Sequence, residues 1–329
     1  MRRSILSVPV LLAALVAAIG PATARADGLP VLGIDVGSTG VASSSDGARY
    51  VTIPAGSRTI VEQIAQHGGQ VLAWRSLRGT FTIPAVAYDG SAGGLSADGT
   101  TLVLIEPRTS FPRATTKLVI LSSHGLKQQR VVKLQGDFSF DAVSPKGSWL
   151  YFIHYVSPND PTRYLVQPYD ALRGRLLAKP IIDPDEPGEK MRGNPLSRTM
   201  SADGRWAYTL YDGAGATPFV HALDTVGRSA HCIDLDGIPF GTDLWQLRLR
   251  IDRNGKQLVV LNSASPVSLI DLRTLSVTRA SAPDVQAGET RHLPVPLLLA
   301  AGGFVLVAVA AGVIWARRRQ RHTLPSPIS

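Results

Sequence analysis

The feature that most constrains this chain is a tight turn that comes back five times. It appears as VASSSDGARYVTI around Gly47, GLSADGTTLVLI around Gly99, AVSPKGSWLYFI around Gly147, TMSADGRWAYTL around Gly204 and RIDRNGKQLVVL around Gly255. The glycines are 52, 48, 57 and 51 residues apart. In the third copy Pro145 pre-sets φ at the second turn position, and Gly147 takes the place where φ must be positive. Each copy then runs into an apolar, β-branched or aromatic stretch, which favours a strand. A period near 50 residues with hairpin signals is the mark of a propeller blade or a similar β repeat.

The second half of each unit repeats as well. TIVEQIAQHGGQVLAWRSL, TKLVILSSHGLKQQRVVKL, RYLVQPYDALRGRLLAKPI, PFVHALDTVGRSAHCIDL and VSLIDLRTLSVTRA each read as strand, polar turn, strand. Alternation is visible within them: Leu269 and Asp271 point one way, Ile270 and Leu272 the other. Each unit therefore holds four short strands.

The Ser-x-Asp-Gly hairpin of Ser96–Gly99 and Ser201–Gly204, with the V-x-x-I-D-x-x-T run of Val267–Thr274, resembles the WD40/YVTN-type β-propellers of bacterial surface and periplasmic proteins. The resemblance covers residues 30–282. It departs at Lys146 in copy three and at Asp252-Arg253-Asn254 in copy five. It implies a fold and no particular activity. The expected fold class is all-β, a β-propeller of five countable four-stranded blades (six or seven being the alternatives), followed by one C-terminal transmembrane helix.

The two ends carry different signals. Residues 1–26 read as a signal peptide: Arg2 and Arg3, an apolar run from Ile5 to Ile19, and the small-x-small site Ala24-Arg25-Ala26. Residues 293–316 are an uncharged run of 24, enough for about 36 Å of helix. Trp315 and then Arg317, Arg318, Arg319 and Arg321 follow the pattern of a cytoplasmic flank. The expected domains are a signal peptide at 1–26, an extracytoplasmic propeller at 27–288, a transmembrane helix at 293–316 and a short basic cytoplasmic tail at 317–329. Arginine outnumbers lysine 27 to 7, which suggests a GC-rich bacterial source.

Charge argues against nucleic acid. Seven of the 34 basic residues lie in the two ends, leaving 27 against 25 acids in the body. The net charge of +9 thus reports targeting and topology, not a phosphate-binding face.

No catalytic, cofactor or metal residue can be picked out by spacing. The loop IIDPDEPGEKMRGNP carries Asp183, Asp185, Glu186 and Glu189, but Pro184 and Pro187 stiffen it and calcium-loop spacing is missing, so a solvated loop is expected at 183–189. LGIDVGSTG, from Leu32 to Gly40, resembles the phosphate loop of sugar kinases and actin-type ATPases; its place behind a signal peptide favours a plain strand and turn. Histidines 67, 124, 154, 221 and 231 form no metal-spaced pair, and Cys232, the single cysteine, reads as a small apolar residue in a strand. His154 and Tyr155 read as ordinary strand residues, and Trp74, Trp149, Trp206 and Trp245 are expected to pack between blades.

The expected function is a membrane-anchored binding or scaffolding module of the cell envelope, with an envelope protein or a glycan as partner and no cofactor. The alternative is a lactonase- or glycosidase-like enzyme with its site in the central channel. That site would need acids or histidines at the inner-strand ends, where the chain offers Asp141, Arg198 and Arg250.

Overall fold

Each repeat turn is closed by its own side chains. In the computed structural model, which describes residues 40–188, 191–239 and 241–280, the Asp98 carboxylate accepts from the Ser96 hydroxyl at 2.7 Å and from the Thr100 N–H at 3.0 Å. The Thr101 N–H returns to Ser96 Oγ at 3.0 Å. Ser201 and Asp203 build the same network, with bonds of 2.6 Å between them, 3.0 Å from Arg205 N–H and 2.8 Å from Trp206 N–H. In copy five Asp252 does the serine's work, accepting from the N–H groups of Lys256 and Gln257 at 2.8 and 3.1 Å. Short polar side chains that bond their own backbone hold the turn, so the motif is structural.

Five antiparallel meanders follow from the five turns. Blade 1 is β1 (Val41–Ala42), β2 (Ala48–Ala55), β3 (Arg58–Ala65) and β4 (Val71–Arg78). Blade 2 is β5 (Thr101–Ile105), β6 (Thr115–Ser122) and β7 (Lys127–Gln135). Blade 3 is β8 (Phe138–Val143), β9 (Trp149–Tyr155), β10 (Tyr164–Asp170) and β11 (Arg175–Leu176). Blade 4 is β12 (Pro195–Met200), β13 (Trp206–Tyr211), β14 (Phe219–Asp224) and β15 (Ser229–Asp234). Blade 5 is β16 (Leu247–Ile251), β17 (Gln257–Asn262), β18 (Ser265–Asp271) and β19 (Val277–Arg279). The all-β class and the repeating four-stranded sheets match the expectation.

Blade 2 departs from it. In place of a continuous first strand it has isolated bridges, Thr82 to Ile105 and Leu95 to Leu102, on either side of a tongue closed by the bridge Ala85 to Ala92. The tongue leaves its own blade. The N–H groups of Tyr88 and Asp89 donate to the carbonyls of Pro195 and Leu196 on β12, at 2.9 and 3.1 Å. The Tyr88 ring meets Trp245, ahead of β16, edge-on at 5.1 Å. Backbone from blade 2 thus lies along the inner strand of blade 4 and reaches blade 5.

Four apolar clusters join the blades in sequence. Tyr50 and Val61 of blade 1 pack with Leu102 and Leu121 of blade 2. Val103 and Leu118 of blade 2 pack with Phe140 and Phe152 of blade 3. Tyr151 and Val166 of blade 3 pack with Tyr211 and Leu223 of blade 4. Leu210 and Val220 of blade 4 pack with Leu249 and Val260 of blade 5. Among the described residues no such cluster joins blade 5 to blade 1. The repeat turns also meet: the Asp98 N–H donates to Pro145 O at 3.0 Å, and Ser45 Oγ to Asp98 O at 3.3 Å. Gly204 (φ 70°) sits so close to Ala97 that a Cβ on it would lie 2.4 Å from the alanine methyl.

The tryptophans correct one expectation. Trp149 and Trp206 pack against inter-blade clusters, but Trp74 is 65% exposed on β4 and Trp245 is 44% exposed. Trp74 pairs with Glu62 on the face of blade 1 turned away from blade 2, where no neighbouring sheet covers it among the described residues. The signal peptide at 1–26, the LGIDV strand and the helix at 293–316 lie outside the described residues. Among the described residues no helix is long and apolar enough to cross a membrane.

Candidate functional site

Sheet register gathers residues that are far apart in sequence. Across blade 4, Arg198 on β12 is paired with Thr209 on β13, Thr209 with His221 on β14, and His221 with Cys232 on β15. Register partners share a face, so the four form one transverse row. The rows beside it on the same face are apolar in the core: Tyr211 with Phe219 on one side, ending on the exposed Asp234, and Ala207 with Leu223 and Ala230 on the other. This single polar stripe is pressed into the core between blades 3 and 4.

At its inner end the stripe is charged. Arg198 forms an ion pair with the Asp141 carboxylate, and its Nη1 donates to the Asp141 carbonyl at 2.9 Å. Asp141 reaches across because β8 has a register shift between Phe140 and Ala142, which re-aims the intervening side chain. Asp141 and Arg198 do converge, as a mutually neutralised pair; Arg250 is exposed on β16 and takes no part.

From this inner end to its middle the stripe is buried and under-bonded. Asp141 Oδ2, Arg198 Nε, Thr209 Oγ1 and His221 Nε2 have no hydrogen-bond partner among the described residues. A buried polar atom in that state costs about 1–3 kcal/mol, so four along one seam mark a place suited to a small polar guest. Burial pushes the His221 imidazole down to about 4, outweighing the pull of Asp141, so the ring is neutral at pH 7.

At the outer end the loop after β11 folds back onto β15. Asp183 is only 7% exposed, against the expectation of a solvated loop. Its Oδ2 accepts from the Cys232 N–H at 2.7 Å and its Oδ1 from the Asp185 N–H at 2.9 Å. His231 Nδ1 stands 3.7 Å from Asp183 Oδ1 and 3.8 Å from Asp185 Oδ2, so one ligand atom from each of the three lies within 4.8 Å of the others. On the opposite side of β15, Cys232 Sγ is 3.8 Å from Met191 Sδ and 4.0 Å from His221 Nδ1. A cavity of about 20 Å³ opens there, lined by Cys232, His221, Met191 and Asp183 together with Leu165 and Ile181. Beyond it, sharing Leu165 and Met191, a surface groove of about 940 Å³ runs past Val156, Asp160, Thr162 and Arg163 to Arg192 and Ala214.

Of the other sequence candidates, His154 stacks on Phe138 at 4.2 Å, and Tyr155 is buried under the Arg108 guanidinium at 4.5 Å. Both pack against neighbours of blades 2 and 3. The seam escaped sequence reading because no local spacing encodes it. Thr209, His221 and Cys232 are 11 to 12 residues apart, the repeat of a hairpin and not of a ligand motif.

No family model matches this chain, and no curated protein matches it in sequence. Among solved structures it is similar to the Dos1 propeller, at 13% identity and TM-score 0.40, over 70% of this chain and 56% of that one. It is similar to TolB from Acinetobacter baumannii at 16% identity and TM-score 0.33, over 72% of this chain and 57% of TolB. It is also similar to an oligogalacturonate lyase, at 13% identity and TM-score 0.44, over 75% of this chain and 65% of the lyase. The likeness is one of fold alone.

Proposed function

We propose that this chain is a membrane-anchored extracytoplasmic β-propeller that binds a protein or glycan of the cell envelope. The observation that carries the reading is the tongue at Thr82–Leu95. A channel-site enzyme needs open space between the inner strands, and the tongue lays Tyr88 and Asp89 along β12 in that space. The inner-strand charges Asp141 and Arg198 neutralise each other and do not stand as a separate acid and base. A concave surface open to a ligand is the outer groove beside blades 3 and 4, where Arg163, Arg192 and Asp160 offer charge beside apolar Val156 and Met191. The signal-like residues 1–26 and the apolar run 293–316 support an anchor with the propeller outside the cytoplasm.

The test is capture from envelope extracts with the detergent-solubilised full chain, alongside the double variant Arg163→Glu and Arg192→Glu. A protein or glycan recovered by the wild type and lost by the variant supports the reading. Capture unchanged in the variant, or no capture at all, overturns it. For topology, protease added to intact spheroplasts should digest the propeller; full protection would reverse the orientation.

A further inference from the structure

We propose that Cys232, Met191 and His221 form a binding site for monovalent copper between blades 3 and 4. The inference stands on the geometry of these side chains and does not rest on the envelope-binding reading. The three donors are a thiolate sulfur, a thioether sulfur and an imidazole nitrogen, brought together from β15, the loop before β12, and β14.

The spacing fits one ion. With metal–sulfur bonds near 2.3 Å and metal–nitrogen bonds near 2.05 Å, donors around one centre lie about 3.8–4.0 Å apart for two sulfurs and about 3.6–3.8 Å for sulfur and nitrogen. The observed separations are 3.8 Å from Cys232 Sγ to Met191 Sδ and 4.0 Å from Cys232 Sγ to His221 Nδ1. Both separations from the thiol thus lie within a few tenths of an ångström of those around one centre. The cavity beside them, about 20 Å³, exceeds the roughly 10–15 Å³ that a single water needs.

A second observation points the same way. His221 is 2% exposed, its Nδ1 faces the thiol, and its Nε2 has no hydrogen-bond partner. With no partner fixing Nε2, the ring is not locked in a tautomer that protonates Nδ1, and the Nδ1 lone pair can face the two sulfurs.

The donor set selects the metal. Thiolate and thioether are soft ligands suited to Cu(I), whereas zinc takes cysteine, histidine and carboxylate. The neighbouring cluster of Asp183, Asp185 and His231 is harder, but each Asp183 oxygen already accepts a backbone N–H, from Asp185 and from Cys232. That carboxylate staples its loop to β15 beside the thiol. Binding replaces the thiol proton by the metal: the S–H bond breaks, a sulfur–copper bond forms, and one proton is released, with no change in oxidation state.

The experiment is an anaerobic titration of the detergent-solubilised full chain with Cu(I) against a chromophoric Cu(I) chelator. The expected result is one Cu(I) per chain, weakened at least a hundredfold in Cys232→Ser and at least tenfold in Met191→Leu. The leucine keeps the packing volume, so its loss of affinity would not reflect unfolding. In the wild type, Cu(I) should also slow alkylation of Cys232 while Zn(II) does not. Failure to compete with the chelator, or binding unchanged in Cys232→Ser, overturns the proposal. So does loss of binding in Asp185→Asn with Cys232→Ser and Met191→Leu unaffected, which would move the ion to the carboxylate cluster. Zn(II) binding that protects Cys232 and ignores Met191→Leu would likewise overturn it.

Discussion

The Arg198 guanidinium on β12 is held by Asp141 on β8 through both the carboxylate and the main-chain carbonyl, with side chains only 5% and 2% exposed. The pair joins blades 3 and 4 at their inner strands. Removing one partner leaves a buried charge without its counter-ion, which costs about 3–5 kcal/mol. Arg198→Ala and Asp141→Ala should each lower the urea midpoint by that amount of stability. The double replacement by Met and Leu should lose less than either single change. A loss below about 1 kcal/mol in Arg198→Ala would show the pair to be dispensable.

Two turn glycines make a matched pair. Gly204 and Gly255 have φ of 70° and 68°, so alanine meets the same backbone penalty at both, about 1 kcal/mol. They differ in surroundings: a Cβ at Gly204 would strike Ala97 at 2.4 Å, while one at Gly255 meets nothing within 4 Å. Gly204→Ala should therefore be the more destabilising by a further 1–3 kcal/mol or so, the usual cost of overpacking. Equal losses in thermal or urea unfolding would mean that the turns do not press on one another.

Acid should loosen the turns. The Ser201 hydroxyl and then the Arg205 N–H hold the Asp203 carboxyl below the usual range, and the N–H groups of Thr274 and Arg273 do the same for Asp271. A depressed folded-state pKa stabilises above the unfolded value, near 3.9, and that contribution is lost as pH falls through the folded value. Denaturation midpoints should therefore drop below about pH 4, and less steeply in Asp203→Asn than in the wild type. Parallel curves for the two proteins would count against the turn network as the cause.

The tongue makes its own prediction. Tyr88 is half-buried and edge-on to Trp245, a contact worth about 0.5–1.5 kcal/mol beyond its burial. Tyr88→Ala should speed hydrogen exchange at the backbone amides of positions 88 and 89, which bond β12, while amides of β9 stay protected. Unchanged exchange at these two positions would mean that main-chain bonds alone hold the tongue.

The sequence reading succeeded where backbone chemistry is local. A positive φ at Gly99 or Gly204, and a serine and aspartate that bond their own backbone, leave a mark within four residues. It failed where structure depends on distant pairing. The segment around Leu95 carries a proper repeat turn, yet its strand shrinks to bridges because the tongue at Ala85–Ala92 takes up the preceding chain. The solvated-loop reading of Asp183 failed because its Oδ2 accepts from the Cys232 N–H, 49 residues away. The seam was invisible for the same reason: Arg198, Thr209, His221 and Cys232 become neighbours only once three hairpins have chosen their register.

Among the described residues four cores join the five sheets in a row, so that blades 1 and 5 each share a core with one neighbour. In a quasi-one-dimensional stack each unit is stabilised by its neighbours, so an interior unit has two supports and a terminal unit one. Blades 1 and 5 should open first and most often, and blade 3 last. The tongue changes this by lashing blade 2 to blade 4, skipping a neighbour, so that blades 2 to 4 melt together as one cooperative block. The polar seam lies inside that block. Its residues are thus shielded from the breathing of the row's ends, and whatever they bind is held in the part of the molecule that is last to come apart.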